Sequence, residues 1–93
     1  MRRAVIVDAV RTPTGRRGGL LSGWQPADLG AVVLQALVER NDLDPARVDD
    51  VICGCVHQVG AQAYNLGRNS VLAAGWPESV PGVTIDRQCG SSQ

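Results

Sequence analysis

Val83-Thr84-Ile85-Asp86-Arg87-Gln88-Cys89-Gly90-Ser91-Ser92-Gln93 is a short β-rich run that feeds into a cysteine and then into small polar residues. This pattern predicts a strand over Val83 to Gln88 with Cys89 at its end, in the first turn of a helix. The first N–H groups of a helix are unpaired and the dipole there is positive, so the thiolate form of a cysteine is favoured. Only four residues follow Cys89, so the helix that would support it is missing from this sequence.

Upstream, the elements alternate. Ala4-Val5-Ile6-Val7-Asp8-Ala9-Val10 is a nearly continuous β-branched run, which suits a first strand covered on both faces. Arg11-Thr12-Pro13-Thr14-Gly15 breaks it and opens a long loop punctuated by Gly18, Gly19 and Gly23. A helix is predicted from Pro26 to Arg40. Pro26 suits its first turn and Asp28 its positive end, and Leu29, Val32, Val33, Ala36 and Leu37 recur as one buried face. Asp44-Pro45 opens a single helical turn before Val48. A second buried strand is read at Val51-Ile52-Cys53-Gly54-Cys55-Val56. A second helix follows from Tyr64 to Ala74, with packing contacts from Leu66, Val71 and Ala74. Gly75 terminates it, and Trp76-Pro77 blocks its continuation. Strand, helix, strand, helix, strand, then cysteine indicates an α/β protein with mostly parallel pairing.

Composition excludes several function classes. The formal net charge is zero, from nine Arg, no Lys and nine acids, so no global basic field draws in nucleic acid or an anionic membrane. Arg2, Arg3, Arg11, Arg16 and Arg17 do cluster, either as a solvated rim or as an anion-contacting loop. The aromatics that single-stranded nucleic acid would need are not interleaved with them. Gly15-Arg16-Arg17-Gly18-Gly19 matches neither phosphate-binding glycine motif. Three cysteines form no disulfide framework and suit a reducing compartment. The stretch between Arg3 and Asp8 is too short for a signal peptide, and no segment approaches the roughly 20 apolar residues of a membrane span. A cytoplasmic location is the default.

Cys89 is the candidate catalytic residue. A thiolate that attacks a thioester makes another thioester of similar energy, given a base for the thiol proton and donors for the oxyanion. The Cys89 N–H is one possible donor. The competing reading is a buried structural cysteine. Cys53, Cys55 and His57 alternate and would share one strand face. They lack the spaced pairs of a zinc site and read as packing, so no metal site is expected. Arg68 and Asn69 are left open between buried and exposed roles.

Together these segments resemble the N-terminal quarter of the thiolase family, the acetyl-CoA acyltransferases. Val5 to Gly15 resembles the family's opening strand and its Arg-Thr-Pro-x-Gly loop. Asp44 to Gly54 resembles the turn and strand before its second helix, and Gln58-Val59-Gly60 through Asn65-Leu66-Gly67-Arg68 the next loop and helix start. Cys89-Gly90-Ser91-Ser92-Gln93 is similar to the nucleophile motif, usually Cys-Gly-Ser-Gly followed by Gln or Leu. Two residues depart from it: Asp86 stands where many members have Asn, and Ser92 where many have Gly.

The resemblance implies a layered αβαβα fold of two similar halves, with residues 1–93 an incomplete N-terminal thiolase domain. It implies that Cys89 accepts an acyl group from acetyl-CoA or another acyl-CoA, for Claisen condensation or thiolytic cleavage of a 3-ketoacyl-CoA. No covalently bound cofactor is implied. The partners implied are CoA thioesters, the remaining portion of the enzyme, and further copies in a homodimer or homotetramer; nucleic acid and membrane are not among them. The activating His and the second Cys of the family lie downstream of this sequence. A ketoacyl synthase-type condensing enzyme and a non-catalytic thiolase-like interaction module are the alternatives.

Overall fold

The computed structural model describes residues 2–93. Its elements follow in the order α1 (Pro26–Arg40), a 3-10 turn (Pro45–Arg47), β1 (Val51–Gly54), a 3-10 turn (Gly60–Gln62), α2 (Leu66–Ala73) and β2 (Gly82–Ile85). Strands β1 and β2 pair in parallel, Val51 opposite Gly82 and Gly54 opposite Ile85. The ladder is extended at both ends, where Val51 N–H donates to the Pro81 carbonyl and Cys55 N–H to that of Ile85. Helix α2 is the crossover between the strands, so the chain contains one strand–helix–strand unit of an α/β protein.

Local chemistry explains the boundaries. Pro26 opens α1, Asp28 lies in its first turn and Arg40 in its last, all where the helix dipole favours them. Asp44 caps the short turn by accepting from Ala46 N–H at 3.0 Å. Gly75 has φ +74°, a left-handed conformation that ends α2 and turns the chain toward Trp76.

Val71, Trp76 and Val80 form the core, with Leu34, Val38, Val48, Val51 and Ala74 packed against them. The α1 face differs from the predicted one. Ala31 is the buried residue of the helix and Val32 is 40% exposed. Helices α1 and α2 touch through small residues, Gly30 lying against Ser70, so the packed stripe follows the close approach rather than the bulkiest side chains.

The first strand, read at Ala4 to Val10, does not form. Val5, Ile6 and Val7 are 76%, 92% and 80% exposed, and among the described residues no strand pairs with them. A β-branched run favours a pleated, half-buried surface, and it has no ladder without a partner. Asp8 instead tethers the segment to the C-terminal end of α1. It accepts from Asn41 Nδ2 at 2.8 Å and meets Arg40 at 3.3 Å. Helix α1 has the bounds read for it, and the later elements are shorter than read. Strand β2 stops at Ile85 rather than Gln88. Helix α2 starts at Leu66 rather than Tyr64, because Tyr64 and Asn65 have φ values of +56° and +65°.

Candidate active site

Cys89 follows β2 by four residues, at the end of the sheet where β1 also stops. It is exposed and has φ +66°, a left-handed conformation uncommon for a residue with a side chain. The expected helix start is not what holds it. A tight turn forms instead, with Gly90 N–H donating to the Arg87 carbonyl and Gln93 N–H to that of Gly90, each at 3.1 Å.

Side chains of the motif itself brace this turn. Asp86 Oδ1 accepts from Gln88 N–H at 3.2 Å, a local turn that a carboxylate oxygen supports as an amide oxygen does. Ser91 Oγ accepts from Arg87 N–H at 3.0 Å. Ser92 Oγ accepts from Gly54 N–H at 3.1 Å and so joins the turn to the end of β1. A Cβ on Gly54 would lie 2.5 Å from the Ser91 carbonyl carbon and still closer to Ser92. Only glycine fits there.

The other cysteines have different surroundings. Cys53 is half-buried, and burial, reinforced by the neighbouring Cys55, pushes its thiol pKa up. A thiol so shifted is a poorer source of thiolate. Cys55 Sγ donates to the His57 carbonyl at 3.6 Å, and Gln62 Nε2 donates to that carbonyl at 2.6 Å. His57 is exposed and lies beyond the end of β1. Among the described residues no three His, Cys, Asp or Glu side chains gather as metal ligands.

A cluster at the base of β2 escaped the sequence reading. Asn65 caps α2, its Oδ1 accepting from Arg68 N–H at 3.1 Å and from the Thr84 hydroxyl at 2.9 Å. Its Nδ2 donates to the Gly82 carbonyl at 2.8 Å. Asparagine just before a helix is a capping signal that could have revealed the first of these contacts. Arg68 is half-buried and donates to the Val80 carbonyl. Asn69 is also half-buried and donates to the Tyr64 carbonyl at 3.2 Å.

The fold and site define an α/β segment that carries an exposed cysteine on a strained turn at the C-terminal end of parallel strands. Comparison with known proteins agrees with this description. Residues 4–93 match the model of the thiolase N-terminal domain. A steroid 3-ketoacyl-CoA thiolase, FadA6, of Mycobacterium tuberculosis is 61% identical over 93 residues, covering 100% of this chain and 23% of that protein. A beta-ketoadipyl-CoA thiolase of Acinetobacter baylyi is 52% identical, covering 99% of this chain and 23% of its own length. The crystal structure of the Bacillus anthracis acetyl-CoA acetyltransferase superposes with a TM-score of 0.80 at 45% identity, covering 88% of this chain and 21% of that one. The chain belongs to the thiolase family. It spans about a quarter of the length of the relatives it matches.

Proposed function

We propose that this segment supplies the acyl-accepting cysteine of a thiolase. The observation that carries the reading is the exposed Cys89 on its left-handed turn, inside a sequence that matches the family over nearly its whole length. The Cys89 sulfur, as thiolate, attacks the carbonyl carbon of an acyl-CoA. The carbon–sulfur bond to CoA then breaks, leaving the acyl group on Cys89, and the departing CoA thiolate takes up the proton that Cys89 gave up. Thioester replaces thioester, so the exchange is close to balanced in energy. A second acetyl-CoA then condenses with the acyl group, or the reverse cleavage of a 3-ketoacyl-CoA runs.

Among the described residues the Cys89 backbone N–H has no backbone acceptor, which leaves it available to a developing oxyanion. The proton acceptor and the second cysteine belong to the family's downstream portion. The 93 residues alone are therefore inert, and the active unit is a cytoplasmic homo-oligomer that includes that portion.

Trapping the acyl-enzyme tests this. In the assembled enzyme, radiolabelled acetyl-CoA is expected to label the peptide containing Cys89 and to protect that thiol from iodoacetamide. A C89S protein should take up no label. Label on Cys53 or Cys55, or none in the wild-type protein, would remove the reading, as would thiolysis of acetoacetyl-CoA by the 93 residues alone.

A further inference from the structure

The Asn65–Thr84 pair does more than cap a helix. Asn65 has φ +65° and ψ +77°, a backbone state that Asn adopts more readily than most residues, and there its side chain reaches across to β2. It bonds Gly82 and Thr84 on the strand while its Oδ1 also receives the N–H of Arg68 in the helix. The Thr84 hydroxyl completes the bridge by accepting from Gly67 N–H at 3.0 Å.

Beneath these bonds the helix and strand backbones are almost in contact. A Cβ on Gly67 would lie 2.5 Å from the Val83 carbonyl oxygen, and one on Gly82 would lie 2.7 Å from Arg68 N. A glycine-to-backbone contact of this kind has no knobs or holes and does not by itself resist sliding along the strand. Directional hydrogen bonds do. Strand β2 leads through three residues, Asp86 to Gln88, into Cys89, so its height along α2 becomes the height of the sulfur. The turn is thus held from two sides, by Ser92 on β1 and by the Asn65–Thr84 clasp behind β2.

We infer that Asn65 and Thr84 are positioning residues for Cys89: they set the register of β2 on α2 and through it the placement of the thiol for attack. The inference rests on the reading of Cys89 as acyl acceptor. Neither residue touches the reacting atoms. Their effect is one of geometry, in which a displacement of about 1 Å can cost on the order of a hundredfold in rate.

Three variants of the assembled enzyme test it: N65G, T84V and T84S. Glycine accepts the left-handed backbone of residue 65 while removing the clasp, valine keeps the shape of Thr84 without its hydroxyl, and serine keeps the hydroxyl. N65G and T84V are expected to lower kcat for acyl transfer from acetyl-CoA about tenfold with KM nearly unchanged, and T84S is expected to retain wild-type kcat. A merely structural role would not produce that split or that rescue. Unchanged kcat in N65G and T84V, or a T84S protein as impaired as T84V, overturns the inference. Should T84V fail to fold, N65G decides alone. If wild-type Cys89 takes no acetyl group, it is the proposed function that fails. The clasp is then judged by the iodoacetamide rate at Cys89, where equal rates in wild type and N65G overturn it.

Discussion

The Ser92 hydroxyl oxygen accepts the Gly54 N–H at 3.1 Å, joining the residue three past Cys89 to the last residue of β1. Ser92 stands where the family motif usually has glycine. In this chain the departure provides a hydrogen bond that glycine lacks.

Replacing Ser92 by Gly removes that bond and adds backbone freedom to the unfolded chain. Stability should fall by about 1 kcal/mol, the usual net worth of one intramolecular hydrogen bond. Amide exchange at Gly54 should quicken in parallel. Unchanged exchange at Gly54 would show that the bond is not formed.

Gly67→Ala sets two effects against each other. Alanine in place of glycine within an exposed helix gains up to about 1 kcal/mol. Here the new methyl would meet the Val83 carbonyl at 2.5 Å, and overpacking of this kind costs about 1–3 kcal/mol. Denaturant titration should show net destabilisation; a gain would mean that α2 is free to lift off β2.

Ser70→Ala should stabilise. The Ser70 hydroxyl is buried against Gly30 and has no protein hydrogen-bond partner. A buried unsatisfied polar group costs about 1–3 kcal/mol, so its removal should gain on the order of 1 kcal/mol. A lower melting temperature in the variant would contradict this.

The tether at Asp8 makes the N-terminal segment acid-sensitive. The hydrogen bond from Asn41, then that from the Ala9 backbone, and the charge of Arg40 hold the Asp8 carboxyl below its ordinary value of 3.8. A carboxyl depressed on folding contributes stability that is fully present above its unfolded value and is lost as pH falls through the lower, folded one. The contact between Asp8 and Asn41 should therefore persist near neutrality and be lost only in acid, which the pH dependence of the Asn41 side-chain amide resonances checks. Asp8→Asn should remove most of that pH dependence.

The cysteines should separate by reactivity. Burial raises the Cys53 thiol, so at any given pH it holds less thiolate, whereas Cys89 is exposed. Iodoacetamide near pH 7.5 should modify Cys89 well before Cys53, and Cys53 should need more alkaline solution. Mass spectrometry of the tryptic peptides checks the order, and equal rates would contradict the surroundings described for Cys53.

Much of the fold was legible residue by residue. Pro26, Asp28 and Arg40 mark the two ends of α1 because capping and dipole preferences act locally. Gly75 ends α2 because few other residues adopt φ +74° cheaply. The α1 packing face was less legible, since Val32 is apolar but exposed, and the contact depends on the small Gly30 meeting Ser70. The start of α2 shifted because Tyr64 and Asn65 take left-handed backbones, and β2 ends at Ile85, opposite Gly54, where its partner strand also ends.

The sequence by itself determined the order of elements from α1 to β2, the break points at Pro and Gly, and the placement of Cys89 after the last strand. Each of these rests on preferences that span only a few neighbouring residues. Tertiary structure alone decided that Ser92 ties the Cys89 turn to the end of β1 and that Asn65 reaches Thr84. The bonds between Ser92 and Gly54 and between Thr84 and Asn65 join residues far apart in the chain, which meet only once β1, α2 and β2 are packed together.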